Sequence, residues 1–379
     1  MTTAPPRKPF VLHVDDDPDG LGLWREEVLS QGKVDIEVCH PQEITEAAIK
    51  KASLVLVDFE LDRWTERDNA PALALRPPNG LAVLSTVQET AQELDDFAKL
   101  KRPRAYSLYT AFIKDVAREL VHQPHIVARA HNLEWIFEKN GAENPVQERA
   151  RRVAELAAAV ASLPTEWPGD AAASAARALH DWLALPQEAP WAEAATREIR
   201  RCRPPIHEFA EHTHGIGVVR WALHKILPYP TFLLDEAHLA ARLRVSLKSL
   251  RAAAEHEQFN SFFGPARYTG QLASFLGRRW WRAGVEHVIF EATADSPGDL
   301  AVLQNVLKQK VPGIEVQDVP RLFPVLGKQF KTKDNLATED AIVEVRPDDW
   351  PPFADEAWAL RADLEDAPEL RAVAGEDGH

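Results

Sequence analysis

The sequence predicts an α/β protein: a flavodoxin-like, five-stranded parallel sheet first, then a mainly helical α+β C-terminal region. Three observations carry this reading. The run Ala52-Ser53-Leu54-Val55-Leu56-Val57 is short and apolar and ends on Asp58, as a central strand buried on both faces does. Around it, β-like runs alternate with helical stretches up to about residue 140, the order that produces parallel strands with right-handed crossovers. Several of those runs also end on polar, chemically capable residues. In open α/β sheets, ligands gather beyond the carboxyl ends of the strands, so Asp58 is the candidate acting residue.

The bulk properties set limits. At 379 residues the chain is long for one core and predicts two or three domains. No apolar window approaches the ~18 residues of a membrane span. Met1 to Pro9 holds no apolar secretory core. Cys39 and Cys202 form neither a disulfide framework nor a zinc motif, so a reduced, cytoplasmic setting is expected. The net charge of −14 argues against broad adhesion to nucleic acid, although a local basic face is compatible with it.

In chain order, Phe10 to Val14 is a first strand, followed by Asp15-Asp16-Asp17-Pro18. Three acids there repel one another unless a cation joins them; the alternative is a solvated turn with Asp17 capping a helix from Gly20 to Ser30. Lys33 to Cys39 alternates as a second strand and Ile44 to Lys51 is a short helix. After the strand ending at Asp58, Asp62 to Pro78 reads as a long surface loop, and Asn79-Gly80 opens a helix to about Leu100. Arg104 to Tyr109 is the fourth strand, ending at Thr110; a helix follows to about Val121 and resumes after Pro124; Leu133 to Glu138 is the fifth strand, ending at Lys139.

Asp15, Asp16 and Asp58 together suit a hard divalent cation such as Mg²⁺, which takes oxygen ligands. With phosphoryl oxygens neutralised by that metal and by Lys139, Asp58 would attack as a nucleophilic carboxylate, and the Thr110 hydroxyl would bond a further oxygen.

This set resembles the receiver domain of bacterial two-component response regulators. The likeness rests on Val14-Asp15-Asp16-Asp17-Pro18, Leu56-Val57-Asp58, Asn79-Gly80-Leu81, Tyr109-Thr110-Ala111 and Phe137-Glu138-Lys139, across roughly residues 9 to 142. It implies Asp58 as phosphoacceptor, Asp15 and Asp16 as metal-site acids, Thr110 as switch hydroxyl, Lys139 as phosphate-binding lysine and Phe137 as switch aromatic. It also implies a histidine kinase or phosphotransfer protein as partner; a place in a bacterial defence-type signalling operon is a separate expectation that no residue here carries. The chain departs from the family in two places. Asn140 stands where proline is usual, and Asp58 and Thr110 are 52 positions apart, a longer spacing than the family's. A degenerate receiver serving only as an interaction scaffold is the rival reading. The expected division is a receiver-like domain over 1–142, a helical linker over 143–204 and an α+β output or docking domain over 205–379.

The later part is less legible. Pro145 to Ser162, Ala171 to Leu185 and Trp191 to Arg201 read as helices suited to a packed layer, a linker or a homodimer contact. His207 to Gly215 is dense in His and Glu, but Glu211 breaks the His-Glu-x-x-His spacing of zinc hydrolases, and an exposed polar helix is the favoured reading. Leu239 to Arg251 resembles a helix-turn-helix, with Ala240 at the helix contact, Val245-Ser246 at the second cap and Arg251 facing a DNA phosphate, but Arg244 stands where glycine is usual. DNA binding is not favoured over a helical pair serving protein contacts. Phe262 to Tyr268 and Arg278 to Arg282 interleave aromatics with arginine, which fits base stacking or, more simply, tryptophans in a core. Glu286 to Glu291, Gly313 to Val319 and Asp340 to Arg346 read as strands, Asp299 to Lys310 as a helix, and Ala354 to His379 as a helix with an acidic tail.

Overall fold

The computed structural model describes residues 8–69, 76–98, 102–140, 145–164, 172–206, 215–294, 296 and 298–375. The His/Glu-dense stretch 207–214 and residues 70–75 of the long loop lie outside these. Contacts divide the chain into two compact units. The first gathers Met1–Leu183, Pro205–His224 and Gly270–Phe275; the second gathers Ala184–Pro204, Lys225–Thr269 and Leu276–His379. The divisions expected at 142 and 204 do not coincide with these units, for reasons given by the helix that follows the sheet.

The first unit is built on five parallel strands, β1 (Phe10–Val14), β2 (Asp35–Cys39), β3 (Leu54–Asp58), β4 (Ala105–Thr110) and β5 (Trp135–Glu138), in spatial order β2-β1-β3-β4-β5. β1 and β3 are buried at every position, which explains why they are apolar but for His13 and the terminal Asp58: each is covered on both faces. The helices are α1 (Gly22–Ser30), α2 (Glu46–Lys51), the single turn α3 (Thr65–Asp68), α4 (Gly80–Ala98), α5 (Ile113–Ala117), α6 (Pro124–Ala130), α7 (Val146–Ala161) and α8 (Ala172–Trp182). Thr45 caps α2 by accepting from Ala48 N–H, which fixes its start at Glu46. The helix expected through Val121 stops at Ala117 and restarts at Pro124, whose ring suits a first helical position.

α7 belongs to the sheet. It buries Ala150, Val153, Ala154, Leu156, Ala157, Ala159 and Val160, a stripe at spacings of three and four that packs with α1 on one face of the strands. α2 and α4 pack together on β1, β3 and β4 as well. Two later segments join this unit. Arg220, on the helix Ile216–Trp221, bonds Glu134 (Nε to Oε1, 2.5 Å) and Asn132 (to Oδ1, 2.7 Å), while His224 Nε2 lies 2.9 Å from Glu134 O. Phe275, fully buried, meets Trp135 and Phe137 edge-on at 5.0 and 6.3 Å, and Ser274 N–H donates to Glu155 of α7 at 2.8 Å.

In the second unit, the helix Glu236–Leu243 ends at Arg244 in the left-handed conformation (φ 56°), and Ser246 caps the helix Leu247–Ala253 by accepting from Ser249 N–H. Ala240 and Val245 are fully buried at this turn. The helix pair is therefore as expected, but Arg251 is already matched by Glu236 (3.0 Å) and Asp334 (2.9 Å). Trp280 and Trp281 form a two-residue strand against Leu233–Leu234 and are buried, so the Arg-Trp run is core on its aromatic side. A four-stranded sheet has the order Ile342–Val345, Ala357–Leu360, Phe323–Leu326, Thr332–Ala337.

Three expectations are corrected here. Glu286 to Glu291 is helical, within Arg282–Ala292; Val285 and Ile289 are its buried residues four apart, and the run Val-Ile-Phe only imitated a strand. Gly313 to Val319 forms no strand, only the single bridge Val316 to Val245. Ala357–Leu360, expected as helix, is a strand with Ala357 and Ala359 buried in alternation; a 3-10 turn at Arg361–Leu364 and an α-helix at Pro368–Ala372 follow it. No helix among the described residues is long and apolar enough to cross a membrane.

Candidate functional site

The site lies at the carboxyl edge of the five-stranded sheet, where β1 and β3 release their acids side by side. Asp15 is held by a local turn, its Oδ1 accepting from Asp17 N–H at 2.8 Å. Asp16 accepts from the backbone N–H of Arg63 at 2.5 Å, and the Arg63 guanidinium pairs with Asp17. The start of the loop after β3 is thereby tied to the β1 acids. Asp58 takes Lys139 Nζ on Oδ2 at 2.5 Å, while its Oδ1 is buried and meets no donor. These residues line an open cleft of about 300 Å³ with Gly20, Leu21 and Glu60.

Gly80 explains why Asn79-Gly80 follows the strand. A Cβ there would lie 1.7 Å from the carbonyl oxygen of Asp58, so only glycine lets α4 start against the end of β3. Asn79 Oδ1 meanwhile accepts from the N–H groups of Leu81 and Ala82, capping that start.

One oxygen each from Asp15, Asp16 and Asp58 falls within 4.8 Å of the others. Burial, and then the Asp15 carboxylate, push the Asp58 carboxyl up to about 8, against the pull of Lys139. Two buried carboxylates side by side, one with an orphaned oxygen, form a site that a cation would relieve, and an all-oxygen donor set suits a hard divalent ion. The acids are thus able to hold a metal.

Behind them stands a buried histidine that the sequence reading did not single out. Trp24 Nε1–H donates to His13 Nδ1 at 2.9 Å, which leaves the neutral ring's proton on Nε2, 4.0 Å from Asp15 Oδ2. Burial lowers the His13 pKa to about 4, although Asp15 opposes the shift, so this nitrogen is an uncharged neighbour of the acid.

The structure therefore brings Asp15, Asp16, Asp58 and Lys139 together. Thr110 is at the end of β4 as expected and fully buried, but its hydroxyl donates to Glu60 Oε1 at 2.7 Å. Glu60 was missed; an acid two positions after the candidate nucleophile was the available signal. A parallel sheet in this strand order, with an acidic cluster at its carboxyl edge, is compatible with a receiver-like fold. No protein-family model matches the chain, and no curated protein matches it.

Proposed function

We propose that the first unit is a receiver and that Asp58 accepts a phosphoryl group from a small phosphodonor, or from the phosphohistidine of a kinase or phosphotransfer partner. The observation that carries this reading is Lys139 Nζ at 2.5 Å from Asp58 Oδ2, with one oxygen each of Asp15, Asp16 and Asp58 within 4.8 Å of the others. A carboxylate oxygen of Asp58 attacks phosphorus, the bond from phosphorus to the donor's oxygen or nitrogen breaks, and the leaving group keeps the electron pair. Lys139 supplies positive charge on the acceptor side and orients Asp58. Mg²⁺ bound by Asp15, Asp16 and Asp58 would supply further charge neutralisation at the phosphoryl oxygens. The Asp17 and Arg63 amides keep the β1 acids in place.

The output reading is intramolecular. Phe137, on β5 two residues before Lys139, packs against Phe275, so a change at the sheet edge has a segment of the same chain to act on.

Incubation with acetyl phosphate and Mg²⁺, followed by intact mass, tests the proposal on wild type and Asp58→Asn. A gain of one phosphoryl mass in wild type alone is expected. No gain in folded wild type overturns it and leaves the unit as an interaction scaffold.

A further inference from the structure

The residue that the proposed chemistry does not use is Glu60, and its position is specific. Phe59 N–H bonds Tyr109 O at 2.8 Å, so β3 and β4 stay paired one residue beyond Asp58. That pairing keeps the chain along β4 and delivers the next side chain to the corner where Thr110 meets Ala111. There the Glu60 carboxylate accepts from Thr110 Oγ1 (2.7 Å) and from Ala111 N–H (3.2 Å to Oε1, 3.1 Å to Oε2). Its Oε2 also lies 4.0 Å from Lys139 Nζ, the cation that holds Asp58.

These are the donors at the β4–β5 side of the cleft that an anion built on Asp58 would meet: a cation at one end, a hydroxyl and a backbone N–H at the other. A carboxylate on two of them and near the third occupies the place of such an anion. Resting on the receiver reading above, we propose that Glu60 is an internal stand-in for the phosphoryl group. It holds Thr110 and Ala111 in the engaged arrangement and must leave before Asp58 can be fully loaded. It has somewhere to go, since its side chain is about 29% exposed and borders the open cleft. In this role Glu60 is a gating residue that slows phosphoryl uptake and, once displaced, releases its hold on the β4 corner.

Loss of even one charge-assisted hydrogen bond moves an equilibrium by about ten-fold or more. Glu60→Ala removes all of them and the competing charge; Glu60→Gln keeps an acceptor of the same size without the charge. The rate of mass gain from acetyl phosphate and Mg²⁺ is followed on wild type, both variants and Asp58→Asn, with circular dichroism confirming folding. Glu60→Ala is expected to load at least ~10-fold faster than wild type, and Glu60→Gln to fall between them. Equal or slower loading of Glu60→Ala overturns the gate while leaving the receiver reading intact. No loading of any folded variant overturns both. Where Glu60→Ala fails to fold, Glu60→Gln decides: faster than wild type supports the gate, and the same rate refutes it.

Discussion

Asp58 should weaken the fold it serves, and replacing it should show by how much. The carboxyl is about 4% exposed, beside the equally buried Asp15, and its pKa rises from 3.8 to about 8. Between those values the folded state holds a proton that the unfolded chain has released, so stability falls as pH rises through that window and is level above it. At about 1.4 kcal/mol per tenfold, the gap sets a ceiling of roughly 5–6 kcal/mol at pH 8. Asp58→Asn keeps the shape and removes this penalty, which is already net of the Lys139 attraction, but the buried amide meets part of the same desolvation cost beside Asp15 and Lys139. The expected net gain is about 2–3 kcal/mol at pH 8 without divalent cations, shrinking towards zero near pH 4. Hydrogen exchange of the β1 and β3 amides in a chelating buffer at pH 4.5 and 8 is the appropriate assay, because it reads the opening of this unit by itself. If Asp58→Asn opens as readily as wild type at pH 8, or is stabilised equally at both pH values, the burial argument is wrong.

Two further outcomes follow from the segments that join the first unit. Arg220→Met should destabilise it by about 2–4 kcal/mol in urea unfolding, because the fully buried Glu134 carboxylate loses the guanidinium 2.5 Å away; adding Glu134→Gln should recover much of the loss, and an effect below about 0.5 kcal/mol would contradict the pairing. Phe275→Ala should cost about 3–5 kcal/mol by the same measurement, since its fully buried ring contacts Trp135 and Phe137; a neutral result would mean that the ring is not held on β5.

What was legible in the sequence was what local pattern controls. Buried parallel strands are continuously apolar, so Val14, Val57 and Tyr109 could be read as the last residues before the polar edge. Gly80 was legible because helix entry against a strand end leaves no room for a side chain. Glu60 was visible only as an acid two positions after Asp58; its partners Thr110 and Ala111 are 50 and 51 positions away, and no local pattern gives those bonds. α7 was recognised as a helix, but its alanine-rich stripe does not say which surface it covers. The same limit applies to Arg282–Ala292 and Ala357–Leu360. A short apolar run fits either period, and tertiary pairing decides between them.

The interleaving of the first unit bears on how the chain is made. Glu134 leaves the ribosome 86 residues before Arg220, and Glu155 leaves 119 residues before Ser274. At ~5–20 residues per second, Glu155 waits roughly 6–24 s for Ser274, and the sheet that precedes it waits longer still. During that interval a carboxylate destined for the interior lacks its counter-charge, and the aromatic face of β5 lacks its cover. A nascent chain in this condition is a natural client for a chaperone. A fragment ending near residue 142 would keep the acids of the site while remaining permanently in that unfinished state.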